Sequence, residues 1–144
     1  MNEQNNIAPI KEKLNVVKYE TENIKNLIYT IREKQVMLDN DVAMLYDYTT
    51  KRINETVRRN KERFPDNFCF QLTENEIENL RSQIATASEI ENTKFRNKRY
   101  LPYAFTEQGI AMLSGLLKSE IAVKVSVNIM NAFVEMRKFM MHMN

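Results

Sequence analysis

Apolar and polar positions along the chain repeat with two periods, and the short period predicts four strands. Residues 27–31 and 35–38 are two β-prone runs on either side of a charged segment, which predicts a hairpin. Residues 68–73 follow, where apolar side chains alternate along one face. Residues 100–105 form a fourth extended segment, and Pro102 within it predicts an edge position in the sheet.

The longer period predicts two short helices that follow each other closely. Asp39 can cap the first, which should end by about Asp47. Thr50 and the threonine before it can cap the second, where Ile53 and Val57 form a narrow apolar face on an otherwise polar or basic surface. Two short helices of which the second is basic are typical of a helix-turn-helix.

Three further helices are predicted in the second half of the chain. Thr73 and Glu76 form a capping box that begins a helix ending near residue 84. Thr106 caps another, in which Gly109 is a mild cost, and the longest helix spans about residues 119–141. The order of elements predicts an α+β fold with a small mixed or antiparallel sheet, a helix-turn-helix-like pair and a long C-terminal helix, related to the winged helix-turn-helix.

The long helix has two apolar stripes, and one globular domain needs only one of them. The first stripe is Ala122, Val125, Ile129, Ala132, Met136 and Met140. The second is Val123, Val127, Met130, Val134 and Met141. A helix that is apolar on two sides is either deeply buried or shared with a partner, so we hypothesise a homodimer.

Composition limits the class of protein. The 144 residues, 43% hydrophobic and 28% charged, fit one globular domain. The single cysteine cannot form an internal disulfide, no apolar run reaches the roughly 18 residues of a membrane span, and the N-terminus lacks the apolar region of a signal peptide. We therefore expect a protein of a reducing cytoplasm.

Charge is concentrated in two basic segments. Residues 51–63 hold six basic and two acidic side chains, a local charge of +4, and residues 94–99 add another +4 without an acidic residue. Because the whole chain carries only +2, the remainder carries −6. Basic segments on an acidic body are the electrostatic pattern of a nucleic-acid-binding protein, although a charged helix face can also be simply solvated.

Double-stranded DNA is the predicted partner. On a helix over residues 50–63, Arg52, Thr56, Arg59 and Arg63 share one face, and Asn54 and Arg58 are of the types that contact adenine and guanine edges. The second cluster either contacts the DNA backbone or minor groove as a wing or is a basic surface loop. The candidate DNA-binding residues are Thr50, Lys51, Arg52, Asn54, Arg58, Arg59, Lys61, Arg63, Lys94, Arg96, Lys98 and Arg99.

Catalysis is not expected, and no cofactor or metal is predicted. His142 is the only histidine and lies two residues from the end of the sequence. Cys69 lies inside the alternating strand without a basic neighbour in sequence, which favours a small core residue. No metal-ligand spacing, phosphate-binding loop or nucleophile motif is present.

Several segments resemble the phage ORF-six N-terminal domain family, relatives of the KilA N-terminal domain. The resemblance rests on IYTIR at 28–32, VMLD at 36–39, VAMLY at 42–46, TKRIN at 50–54, VRRN at 57–60, RFP at 63–65, FCFQLT at 68–73 and RYLPYAFTEQG at 99–109. Together these cover about residues 27–117. The resemblance implies a DNA-binding role in phages, prophages and bacterial genomes that carry them, often in the N-terminal part of antirepressor-like proteins.

These observations give a domain organisation and two candidate functions. Residues 1–26 are predicted to be a flexible lead-in, 27–117 a DNA-binding domain and 118–144 a C-terminal helix that dimerises. The first function is a transcriptional regulator or antirepressor that binds double-stranded DNA. The alternative is a protein-interaction module that binds a repressor or host factor through the C-terminal helix. Since family members commonly continue into a C-terminal domain, we expect either a minimal member or a shortened one.

Overall fold

A computed structural model of the chain describes residues 21–84 and 100–142. These residues form six α-helices, two 3-10 turns (Lys25–Leu27 and Lys61–Arg63) and four strands. The strands are β1 Ile28–Ile31, β2 Lys34–Leu38, β3 Cys69–Gln71 and β4 Tyr103–Phe105. The helices are α1 Thr21–Ile24, α2 Asp39–Tyr46, α3 Thr50–Arg59, α4 Glu74–Ile84, α5 Glu107–Leu117 and α6 Glu120–His142.

The four strands form one antiparallel sheet in the order β1-β2-β4-β3, which confirms the α+β fold. The predicted edge position of residues 100–105 is wrong, because β4 pairs with β2 on one side and β3 on the other. Pro102 is compatible with this central position since it precedes the strand. Its carbonyl accepts a hydrogen bond from the Leu72 amide at 2.9 Å, and its missing N–H removes no ladder bond.

Both faces of the sheet are buried. Met37, Cys69 and Phe105 contribute to a larger core with α2, α3, α5 and α6, while Phe70 and Ala104 lie in a smaller core with α4. The alternating pattern of residues 68–73 predicts that only one of these two faces is buried. The small Cys69 side chain occupies the other, where burial and the nearby Asp39 carboxylate raise the pKa of its thiol to about 12.

The hairpin between β1 and β2 turns through two residues with left-handed backbone. Arg32 has φ 56° and Glu33 has φ 63°, conformations that L side chains adopt at a cost. Tertiary contacts hold Arg32: its guanidinium binds the Glu76 carboxylate at 2.7 and 3.0 Å and lies 4.2 Å from the centroid of the Phe70 ring. These contacts stabilise a turn that lacks the Asn-Gly signal in its sequence.

Replacing Glu33 by glycine is expected to raise the free energy of unfolding by about 1 kcal/mol, because glycine adopts positive φ without the Cβ penalty. Urea denaturation followed by circular dichroism measures the change. Lys34→Gly, one residue further and inside β2, is the control and should lower stability, since glycine weakens a strand. Equal effects of the two substitutions would contradict the role of the positive φ.

Two predicted helix caps are confirmed. The Thr73 amide donates to Glu76 Oε1 at 2.9 Å and the Glu76 amide to Thr73 Oγ1 at 3.2 Å, the reciprocal bonds of a capping box. At the start of α5, Thr106 Oγ1 accepts from the Gly109 amide at 3.2 Å. These side chains satisfy amides that would otherwise lack a partner at the helix start.

The sequence indicates only that Gly109 lowers the helix propensity of α5 slightly. In the structure, Gly109 is required by a close contact between α5 and β3. A Cβ built on Gly109 would lie 2.0 Å from the carbonyl oxygen of Phe68, the residue that precedes β3. The same carbonyl accepts from the Thr106 amide at 3.0 Å, which fixes the first turn of α5 against the beginning of β3. Only a residue without a side chain fits at this contact.

The long helix α6 packs one stripe on the domain and leaves most of the other exposed, although Met130 of the second stripe is half-buried against the larger core. Its buried residues are Ala122, Val125, Ser126, Ile129, Ala132 and Phe133. Met140, predicted on the same face, is exposed because the last turns of α6 extend beyond the larger core. The Tyr46 hydroxyl and Ser126 Oγ form a buried hydrogen bond of 2.6 Å between α2 and α6. None of the helices within the described residues is both long and apolar enough to cross a membrane.

Candidate nucleic-acid interface

The predicted helix pair is formed by α2 and α3, which are joined by a tight turn. Asp47 has φ 59° and ψ 42°, and the amides of Asp47 and Tyr48 donate to the carbonyls of Met44 and Ala43 at 3.2 and 2.9 Å. This is the Schellman pattern that ends a helix. Thr49 then caps α3, because its Oγ1 accepts from the amide at the third helical position at 3.1 Å. The cap is therefore Thr49, and Thr50 is the first residue of the helix.

The sequence predicts that Asp39 caps α2, and this prediction is wrong. The Asp39 side chain instead connects three parts of the domain. The preceding Leu38 is the cap residue, and the Asp39 side chain is fully buried. Its Oδ2 accepts hydrogen bonds from Asn54 Nδ2 at 2.9 Å, from the Tyr103 amide at 3.1 Å and from the Tyr100 hydroxyl. Burial and the Asp39 carboxylate raise the pKa of Tyr100, so its hydroxyl remains protonated and donates.

The outward face of α3 is basic. Ile53 is fully buried and Val57 is half-buried against the larger core, so the opposite side of the helix faces away from the domain. Four basic side chains on it are exposed, and together they form what we call the α3 basic face: Lys51, Arg52, Arg58 and Arg59. Glu55 lies between them and is 4.0 Å from Arg58 Nη2.

One member of the α3 basic face is oriented by its neighbours. The Arg52 guanidinium carbon lies 4.6 Å from the centroid of the Tyr48 ring, in the turn between the two helices. This contact restricts the guanidinium at the edge of the helix pair. Sequence analysis did not identify Tyr48, although an aromatic residue four positions before an arginine is a visible signal.

The predicted helical face does not extend to Arg63. Helix α3 ends at Arg59, and Asn60 adopts φ −126° while its Nδ2 donates to the Thr56 carbonyl at 2.8 Å. A 3-10 turn follows and places Phe64 in the core, where its ring contacts the Phe105 ring edge-on at 6.3 Å between centroids. Lys61 and Arg63 are exposed on this turn, beyond the end of the helix.

Asn54 is held inside the domain rather than projecting from the first turn of α3. It is half-buried, and Nδ2 donates to Asp39 and, at 3.3 Å, to the Tyr100 hydroxyl. Its Oδ1 is buried and has no hydrogen-bond partner among the residues that the structure describes. The sequence gives no local signal for this network, because Tyr100 is 46 residues away.

The second basic cluster, Lys94, Arg96, Lys98 and Arg99, lies outside the described residues, and its role as a wing stays a prediction. The same holds for residues 1–20 of the expected flexible lead-in and for the loop predicted over residues 85–97. Within the described ranges, no group of three or more His, Cys, Asp or Glu side chains could hold a metal ion.

Comparison with known proteins identifies the family. No curated protein and no solved structure matches the chain. The model of the ORF6N domain family matches residues 26–116, a span that begins at the 3-10 turn before β1 and ends within α5. It includes the whole sheet, the helix pair and the α3 basic face, and it agrees with the resemblance carried by the sequence motifs. The chain belongs to the ORF6N domain family.

Proposed function

We propose that the protein is a non-enzymatic regulator of transcription, of phage or prophage origin, which binds double-stranded DNA with α3 in the major groove. The observation that carries the proposal is the α3 basic face, four exposed basic side chains opposite the buried Ile53 on the second helix of a helix pair. Membership of the ORF6N domain family supports a regulatory, antirepressor-like role. Its place of action would be the nucleoid in the bacterial cytoplasm.

The residues of the interface have different roles in this proposal. Arg58 is exposed in the last turn of α3 and can bind a guanine edge through two hydrogen bonds, whereas Lys51 can only neutralise phosphate. Asn54 acts as a positioning residue, since its amide already binds Asp39. Residues 94–99 add phosphate contacts.

Replacing Arg58 and Arg59 together by alanine is expected to weaken DNA binding by about 2 kcal/mol or more, roughly thirtyfold, because each arginine that reaches a base or phosphate contributes about 1–3 kcal/mol. The affinity of a natural DNA fragment from the same genome would be measured by gel shift and by fluorescence anisotropy at several salt concentrations. Each phosphate contact that the variant loses also makes the salt dependence shallower, by about 0.9.

The matched control is Lys124→Ala combined with Lys138→Ala, which removes the same charge from exposed positions on α6. This variant should keep its affinity. Circular dichroism must show that both variants are folded. A folded Arg58/Arg59 variant with unchanged affinity would contradict the proposal.

Binding of a repressor or host protein is the second candidate function, and the exposed stripe of α6 favours it. The two candidates differ in their response to salt. Phosphate contacts give an affinity that falls steeply with ionic strength, whereas an apolar interface is almost insensitive to it.

A further inference from the structure

The exposed stripe of α6 has the spacing of a coiled coil. Its positions repeat at intervals of four and three residues, which is the pattern that keeps one seam facing a second helix. We call it the α6 seam: Val123, Val127, Met130, Val134, Arg137 and Met141. Five of the six positions are apolar, and the most exposed are Val123, Val127 and Met141 at 59%, 52% and 70%.

The one charged member of the α6 seam is drawn towards its own domain. Arg137 Nη1 binds Glu107 Oε1 at 2.6 Å, at the start of α5. The aliphatic part of a long side chain can still cover an apolar surface while its charge is bound elsewhere. Arg137 therefore does not prevent a second helix from approaching the seam.

The chain's own N-terminal part approaches a different side of α6. Lys25 Nζ lies 3.4 Å from Glu135 Oε2, and Ile24 is buried in the larger core together with Ile129 and Ala132. At 3.6 residues per turn, Glu135 lies about 100° around the helix from Val134. Ile24 and Lys25 therefore contact α6 on a side other than the seam.

We propose that a second copy of this chain covers the α6 seam and forms a parallel, two-stranded coiled coil. In heptad notation Val127 and Val134 occupy position a, where β-branched residues favour two strands in a parallel coiled coil. An antiparallel pair would bring Lys124 of one copy close to Lys138 of the other, because both occupy position e. Like charges at this distance disfavour the antiparallel arrangement. In the parallel pair the two Arg137 side chains meet at position d, but each charge is already bound to Glu107 of its own copy.

The expected dimer is weak. Burying a fully exposed Val or Met side chain contributes about 1.5–3 kcal/mol. Since the three most exposed seam residues are only 52–70% exposed, those of both copies contribute about 5–11 kcal/mol. Association costs about 4 kcal/mol or more. With the half-buried Met130 and Val134 added, we expect a dissociation constant of about 10–1000 µM. The proposal rests on the proposed function only in that a dimer presents two copies of α3 to two half-sites of DNA.

Sedimentation equilibrium of the whole chain without DNA, at concentrations up to about 1 mM, tests the association. The wild type should approach twice 17.1 kDa, and Val123→Glu with Val127→Glu should remain a monomer at every concentration. The control is Ile121→Glu with Phe139→Glu, which adds the same charge at residues that are 49% and 57% exposed outside the seam, and it should dimerise as the wild type does. A monomeric wild type, or a dimer that the seam variant does not disrupt, overturns the proposal.

A cysteine at Val123 tests the orientation independently. In a parallel pair the two copies of this position face each other, so Val123→Cys should form an intermolecular disulfide under mild oxidation, while the buried Cys69 does not react. In an antiparallel pair position 123, at d, faces position 141, at a, of the other copy, and no such disulfide forms. Absence of the disulfide overturns the parallel arrangement. Because neither the sedimentation nor the disulfide experiment contains DNA, a failure of dimerisation can be distinguished from a failure of DNA binding.

Discussion

Replacing Gly109 by alanine is expected to lower the free energy of unfolding by about 3–4 kcal/mol, as measured by urea denaturation. A Cβ at this position would lie 2.0 Å from the Phe68 carbonyl oxygen and 2.9 Å from the carbonyl carbon. Both atoms belong to the backbone at the beginning of β3, so neither can rotate away as a side chain would. The helix and the strand must separate, and the hydrogen bonds of Thr106 to this segment lengthen or break.

Gly115, six residues further along α5, provides the control. A Cβ built there meets no atom within 4 Å, so alanine should raise stability by about 0.5–1 kcal/mol through its higher helix propensity. The two substitutions are chemically identical and lie in the same helix. A Gly109→Ala variant that is as stable as Gly115→Ala would contradict the close approach of α5 to β3.

Replacing Asp39 by alanine is expected to lower the free energy of unfolding by about 3–5 kcal/mol. The substitution leaves the Asn54 amide, the Tyr100 hydroxyl and the Tyr103 N–H without their acceptor, and each buried donor that loses its partner costs about 1–3 kcal/mol. The same denaturation experiment measures the effect. Asp66→Ala, at an exposed position, should change stability by less than about 0.5 kcal/mol.

A double-mutant cycle shows whether Asp39 acts through α3. Asn54→Ala alone removes one donor, and Asp39→Ala alone removes the acceptor. If the hydrogen bond of 2.9 Å between them carries part of the stability, the double variant should lose less than the sum of the single losses, by about 1 kcal/mol or more. Additive losses would mean that Asp39 stabilises only the segment with Tyr100 and β4.

The elements that sequence analysis predicted correctly depend on local chemistry. The bonds of Thr73 with Glu76 join residues three positions apart, and the cap formed by Thr106 also lies within one turn. The short helices α2 and α3 follow from an apolar spacing that repeats within one segment. Such signals are complete within a few residues and require no knowledge of the rest of the fold.

The errors arise where a distant part of the chain determines the structure. Asp39 is of a residue type that caps helices, and only the pairing of β2 with β4 places Tyr103 where it binds the Asp39 carboxylate instead. Gly109 is unfavourable in an isolated helix but is required by the carbonyl of Phe68. The chain leaves the helix at Asn60 because Phe64 packs against Phe105.

The candidate interface likewise contains residues whose position could be predicted from local sequence and residues whose position could not. The exposed arginines and lysines of α3 could be predicted because a helix period and one buried residue, Ile53, define the opposite face. The half-buried position of Asn54 could not be predicted, since its hydrogen-bond partners Asp39 and Tyr100 are 15 and 46 residues away in sequence. Base readout through Arg58 and the wing role of residues 94–99 stay predictions, for which the salt-dependent binding measurements are the test.

Because β4 lies between β2 and β3, the sheet cannot be completed during synthesis before β4 has been made. β1 and β2 can form a hairpin as soon as both have been made, but β3 pairs with no strand other than β4 within the described residues. Until residue 105 is available, the residues that form β3 have no edge to join, and the part of the core around Phe105 cannot close. A fragment that ends before Tyr103 should therefore be sensitive to protease over residues 69–84, however complete its basic helix is.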